Sequence, residues 1–199
     1  LRSLDIFRLL NDKLIPSWEF EYLFIGTFNP EWNNPNGNNA NYFYSRHTND
    51  FWHILPEVFG DTSLMAKEKR SDSKLLVSYL QTKKIALTDI IVEVKNVKKD
   101  NELHFKDVTS VKDQSLLKYE LVFNDRIYEL LNSKLKGVFF TRKCASNSTI
   151  CSHWKLIKDK CEELSIPTSE LVTPSRGYRS NGYNREKKIN EWSNIIFKK

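Results

Sequence analysis

The chain has 199 residues, 40% hydrophobic and 13% aromatic, with a formal net charge of +6. That is long and apolar enough to bury a substantial core, which excludes a disordered chain. No apolar run nears the roughly 20 residues of a membrane-spanning helix and no signal-peptide pattern opens the sequence, so the expectation is one intracellular domain over residues 1–199, in the cytoplasm or nucleoid.

Leu4, Phe7, Leu10 and Leu14, with Ile6 and Leu9 beside them, recur at helical spacing, and Pro16 ends that helix. Tyr22 to Phe28 reads as a first buried strand, and the asparagine-rich stretch Asn33 to Asn41 as a loop. Thr48 or Asn49 can cap a helix running through Phe51, Trp52, Ile54, Leu55 and Val58 and closed by Gly60. A second helix is expected over Leu64 to Thr82, its apolar side including Leu75, Leu76 and Leu80. Ile85 to Ile91 reads as strand two, with Asp89 near its end. Residues 94–113 are charged and read as irregular or partly helical.

Asn124 to Leu135 is expected to be helical, and Gly137 to Thr141 to be a third buried strand. Thr149 to Ser165 follows as a helix, and Glu170 to Val172 as a fourth strand stopping at Thr173-Pro174-Ser175. Asn184 to Phe197 closes the chain as a basic amphipathic helix. Short strands alternating with helices predict a three-layer α/β/α domain around a central four-stranded parallel sheet.

In open α/β sheets ligands bind beyond the carboxyl ends of the strands, where strand order reverses. The first strand breaks there at Gly26, a residue that permits a tight turn or close approach of a ligand to the backbone. Gly26-Thr27-Phe28-Asn29-Pro30 and the aromatic block from Tyr42 to Trp52 then bring amides and flat rings together. That combination suits a flat polar ligand better than a metal or a phosphate. His47 is the one histidine of four within these segments.

From Arg176 to Lys199, seven Lys or Arg face two Glu, so most of the net charge sits at the end of the sequence. Concentrated basic charge suits a polyanion such as nucleic acid; a solvated helix face with a basic tail is the alternative. Cys144, Cys151 and Cys161 are odd in number and contain no Cys-x-x-Cys pair, which indicates neither a disulfide framework nor a zinc site.

Three segments resemble the uracil-DNA glycosylase superfamily. Gly26-Thr27-Phe28-Asn29-Pro30 is similar to the Gly-x-Asn-Pro loop of the mismatch-specific thymine/uracil branch, with one extra residue. Tyr44 to Trp52 resembles the aromatic-x-x-x-x-Asn-x-Phe-Trp block that this branch shares with the hypoxanthine-DNA glycosylases. Thr173-Pro174-Ser175-Arg176-Gly177-Tyr178-Arg179 is similar to the Asn-Pro-Ser-x-x-x-Arg loop that closes the site and enters the minor groove.

The resemblance implies a monofunctional DNA glycosylase of base excision repair, acting as a monomer on single- or double-stranded DNA and removing a flipped-out deaminated base. It implies that Tyr44 stacks on the base, that Asn29 or Asn49 holds the attacking water, and that Gly26, the Thr27 and Phe28 N–H groups and Ser175 line the base. Arg176, Gly177, Tyr178 and Arg179 would meet the DNA. The four cysteines that carry an iron–sulfur cluster in some branches are lacking, so no cofactor or metal is expected. Thr173 stands where the uracil-specific branch has a histidine, which points toward a slower or broader enzyme. Asp89 and Thr141, at the ends of strands two and three, are candidates for reading the base edge. A non-cleaving nucleic-acid-binding protein on this fold, and an enzyme of free nucleosides or nucleotides, stay open beside it.

Overall fold

The computed structural model describes residues 1, 16–30, 32, 43–44, 46, 48–64, 66, 72–110, 113–144, 148–176, 182 and 184–198. The helix expected over residues 4–14 and the asparagine-rich loop 33–41 lie outside them. Four parallel strands form the centre: β1 Tyr22–Gly26, β2 Ile85–Asp89, β5 Gly137–Phe140 and β6 Thr168–Glu170, side by side in the order β2-β1-β5-β6. Between β2 and β5 the chain makes a small antiparallel pair, β3 Ile91–Val94 with β4 Leu121–Phe123. The helices are α1 Phe51–Val58, α2 Ser73–Thr82, α3 Glu102–Ser110, α4 Asp113–Leu116, α5 Ile127–Leu130, α6 Thr149–Glu163 and α7 Arg185–Ile196.

Both faces of the sheet are apolar, because a parallel strand in the middle of a three-layer domain has no solvent side. Alternate β1 residues divide between two cores. Phe24 packs with Phe139, Leu87 and the inward sides of α1, α2 and α7, including Phe51, Trp52, Leu76, Leu80 and Trp192. Leu23 and Ile25 point the other way, to Val138, Phe140, Ile127 and Trp154 under α5 and α6. The buried indoles carry their polar atoms to backbone oxygens: Trp52 Nε1 donates to Phe43 O at 3.0 Å and Trp192 Nε1 to Val172 O at 2.9 Å. Those two bonds fasten the aromatic block and the segment after β6 to the same core.

Several elements differ from the sequence-based expectation. β2 stops at Asp89, and Ile91 opens a separate strand that turns away to pair with Phe123. Strand four lies two residues earlier than expected, at Thr168–Glu170, and Leu171 and Val172 are buried beyond its end. α2 begins at Ser73, where Asp72 caps it by accepting from Lys74 N and Leu75 N at 3.0 and 3.1 Å. Its buried side is Leu76, Val77 and Leu80, while Leu75 is 38% exposed. Residues 94–113 do hold a helix, α3. The helix expected from Asn124 to Leu135 shrinks to α5, because Asn132 turns the chain: its Nδ2 donates to Leu130 O and its Oδ1 accepts from Lys134 N.

α1 ends as expected at Gly60, whose φ of +77° is a left-handed conformation that glycine adopts without strain. The cysteine expectation is corrected: Cys144 and Cys151 form a disulfide that ties the segment after β5 to the first turn of α6. The spacing of seven shows nothing in sequence; the two meet because the segment after β5 lies beside the first turn of α6. Cys161 is a buried free thiol whose pKa burial pushes up to about 11, which leaves it inert at neutral pH. Among the described residues no helix is long and apolar enough to cross a membrane.

Candidate active site

β1 and β2 end in register, Gly26 opposite Asp89. A Cβ on Gly26 would collide with Asp89 Oδ1 and lie 2.6 Å from Tyr44 Oη. Gly26 is therefore a close-approach residue, and what approaches it is a carboxylate and a phenol brought from two other segments. Thr141, the residue after β5, completes the group: its Oγ1 lies 2.7 Å from Tyr44 Oη and donates to Ile25 O at 3.2 Å. Because Thr141 spends its one proton on that carbonyl, Tyr44 donates to Thr141.

Tyr44 has a left-handed backbone, φ 55°, which costs a non-glycine residue about 1 kcal/mol and is held here by the surrounding contacts. Its ring stacks on Phe51, with centroids 4.0 Å apart and planes at 11°. One ring face is thus already covered by protein. Burial foremost, then the negative charge of Asp89, raises the phenol pKa far beyond the physiological range. The hydroxyl is a permanent donor, already committed.

The turn after β1 is fixed by its carbonyls. Gly26 O accepts from Ile90 N at 2.9 Å and Thr27 O from Ile91 N at 3.1 Å. Phe28 and Asn29 follow and are both buried, 5% and 8% exposed, while Thr27 is half-buried.

Asn49, the competing amide, is used locally. Its Oδ1 accepts from Phe51 N at 2.8 Å, the capping bond that starts α1, although the residue at the N-cap position is Asp50. Its backbone forms an antiparallel bridge with Ser175. On either side Asp50 N donates to Pro174 O and Arg176 N to Thr48 O, each at 2.9 Å. The second and third sequence segments, more than a hundred residues apart, thus run together as a short strip beside the strand ends. Ser175 is exposed on it.

Asp50 was not singled out by sequence and is central. It is fully buried, and its Oδ1 accepts from Arg176 Nε at 2.7 Å and from Arg185 Nε at 3.0 Å. Arg176, expected to meet DNA, is therefore held by a carboxylate. Lys188 is also fully buried and donates from Nζ to Ser175 O at 2.7 Å. A signal for Lys188 existed: it shares the i, i+4, i+8 stripe of α7 with buried Trp192 and Ile196. Asn124 was missed as well. Its Nδ2 donates to Thr88 Oγ1 at 2.9 Å and to Asp89 O at 3.0 Å, which pins the end of β2 and so places Asp89. Arg46, in the aromatic block, donates to Thr109 O at 2.7 Å and anchors that block to α3.

His47, Gly177, Tyr178 and Arg179 lie outside the described residues. Among the described residues there is no group of three or more His, Cys, Asp and Glu side chains that could hold a metal ion.

No family model matches the chain, and no curated protein matches it. Among solved structures, the chain is similar to the solution NMR structure of a "putative Uracil DNA glycosylase" from Methanosarcina acetivorans, at 18% identity, 89% coverage of each chain and a TM-score of 0.51. At that identity the likeness is one of fold: a parallel α/β sheet of the uracil-DNA glycosylase type.

Proposed function

We propose that the protein is a monofunctional DNA glycosylase that hydrolyses the N-glycosidic bond of a flipped-out deaminated base, uracil or hypoxanthine, and leaves an abasic site. The observation that carries this reading is the convergence of all three sequence segments at the carboxyl ends of β1, β2 and β5. Gly26 meets Tyr44 and Asp89 there, and the strip from Thr48 to Asp50 is bridged to Pro174, Ser175 and Arg176. In open parallel sheets that edge is where ligands bind.

In the proposed reaction the bond from C1′ to the base nitrogen breaks, with its electron pair leaving on the base. Water adds to the oxocarbenium-like sugar, and its proton passes through solvent to the departing base anion, which leaves neutral base and a C1′ hydroxyl. Extruding the nucleotide costs a few kcal/mol, recovered in the pocket by stacking and edge hydrogen bonds. Asn29 is assigned to hold the water on its burial in the turn after β1 and its place in the Gly-x-Asn-Pro-like loop. An amide cannot act as a general base, but an oxocarbenium ion does not require one. The N–H groups of Thr27 and Phe28 are assigned to the developing negative charge on the base, where fixed dipoles in a dry pocket act most strongly. Asp89 and Thr141 are assigned to the base edge, and Ser175 and Arg176 to the strand that carries it.

Tyr44 keeps the stacking role in this reading. With one face on Phe51 and its hydroxyl on Thr141, it forms a rigid wall against which a base lies.

Single-turnover cleavage of labelled oligonucleotides carrying uracil, hypoxanthine, xanthine or mismatched thymine, single- and double-stranded, followed by alkali, tests the proposal. Strand breaks on one of these substrates are the expected result. Intact strands on all of them at protein excess would overturn it.

A further inference from the structure

We propose that Arg176 and Arg185, held together on Asp50, form a clamp for one backbone phosphodiester of DNA at the rim of the site; this rests on the reading of the protein as acting on DNA. Both guanidinium groups bond the same carboxylate oxygen through Nε, at 2.7 and 3.0 Å. Asp50 is fully buried, whereas the two arginine side chains are 31% and 38% exposed. One carboxylate thus fixes two partly exposed cations. Among the described residues, neither arginine makes a further hydrogen bond through its Nη atoms.

A carboxylate whose purpose was only to fasten the loop would need one arginine. The second, Arg185, comes from the first position of α7, so that two cations from separate segments meet one carboxylate. A guanidinium bonded at Nε keeps its Nη edge for a second partner, and two such guanidinium groups held on one carboxylate suit the oxygens of a phosphodiester. The clamp sits on the strip that joins Asn49 to Ser175, so a phosphate bound there would lie beside the nucleotide entering the pocket.

The test is equilibrium binding of an undamaged labelled duplex across a range of salt concentrations, for the wild-type protein and for Arg185→Gln, Arg185→Lys and Asp50→Asn, each checked for folding by circular dichroism. Arg185→Gln is expected to weaken binding about tenfold whatever the sequence, and to lower the slope of log K against log salt by about one. Arg185→Lys should recover the slope but only part of the affinity, because the charge returns without the fork. Asp50→Asn raises the net positive charge by one. General electrostatic attraction would then tighten binding, whereas loss of the clamp weakens it. Inorganic phosphate alone is titrated in parallel at matched ionic strength.

Unchanged affinity and slope in Arg185→Gln, with a wild-type protein that binds and cleaves DNA, would overturn the clamp and leave the glycosylase reading standing. A loss seen with inorganic phosphate but not with duplex would overturn it as well. A wild-type protein that binds no duplex would overturn the clamp, and the glycosylase reading would fall with it only if the damaged oligonucleotides, single- and double-stranded, also stay intact.

Discussion

Tyr44 Oη donates to Thr141 Oγ1 at 2.7 Å, across 97 residues of sequence, and so joins the aromatic block to the end of β5. Tyr44→Phe removes only that bond and leaves the ring on Phe51. It is expected to cost about 1 kcal/mol in urea unfolding, the net value of one hydrogen bond, with a modest loss of cleavage. Tyr44→Ala removes the stack as well and should cost about 3 kcal/mol, with cleavage falling much further than in Tyr44→Phe. Equal cleavage by the two variants under single-turnover conditions would mean that the ring itself does not contact the base.

Gly26→Ala tests the close approach. The added methyl group would meet Asp89 Oδ1 and Tyr44 Oη, neither of which is at the free end of a long flexible chain. A destabilisation of about 2 kcal/mol is expected from forcing these groups apart, and cleavage should fall more than in Tyr44→Phe, because two site groups move at once. A variant with wild-type melting and cleavage would show that Asp89 and Tyr44 can retreat freely.

The parallel sheet was legible because its first three strands are short apolar runs ending in Gly26, Asp89 and Phe140. β6 was misplaced by two residues because Thr168-Ser169-Glu170 carries no apolar signal; it is a strand through its backbone pairing to β5 alone. β3 was absorbed into strand two since Ile90 and Ile91 continue the apolar run across the bend. In the site, Gly26 and the aromatic block could be read from residue type. Asp50, Arg185 and Lys188 could not be read as a group, since their partners lie up to 135 residues away and a pairing over that distance leaves no local pattern. Asn49 shows the converse limit. An amide in a motif and an amide that starts a helix look the same in sequence, and only the bond to Phe51 N separates them.

Asn29 and Asn49 should part company on substitution. Asn29→Ala is expected to lower single-turnover cleavage by about a hundredfold with little change in duplex binding, the size seen when one fixed polar group is removed from a transition state. Asn49→Ala loses the bond to Phe51 N and should cost about 1 kcal/mol of stability, with a smaller effect on the rate once folding is saturated. Loss of cleavage confined to Asn49→Ala would transfer the water-holding role to Asn49.

His53 makes the fold less stable as pH falls. The ring is half-buried, with Nδ1 2.7 Å from Ser63 Oγ. Burial first, then the positive charge of Arg185, lowers its pKa from the ordinary 6.5; Arg176 acts in the same direction, and Glu57 and Asp50 oppose. The folded state therefore favours the neutral ring, and between the lowered pKa and 6.5 the unfolded chain binds more protons. The contribution of His53 to stability is fully present above 6.5 and is lost as pH falls through the folded pKa. Urea midpoints of the wild-type protein should fall from about pH 8 to about pH 5, and those of His53→Gln should fall less, because Gln does not titrate in that range. Parallel curves for the two proteins would mean that other groups, the carboxylates above all, carry the whole acid response.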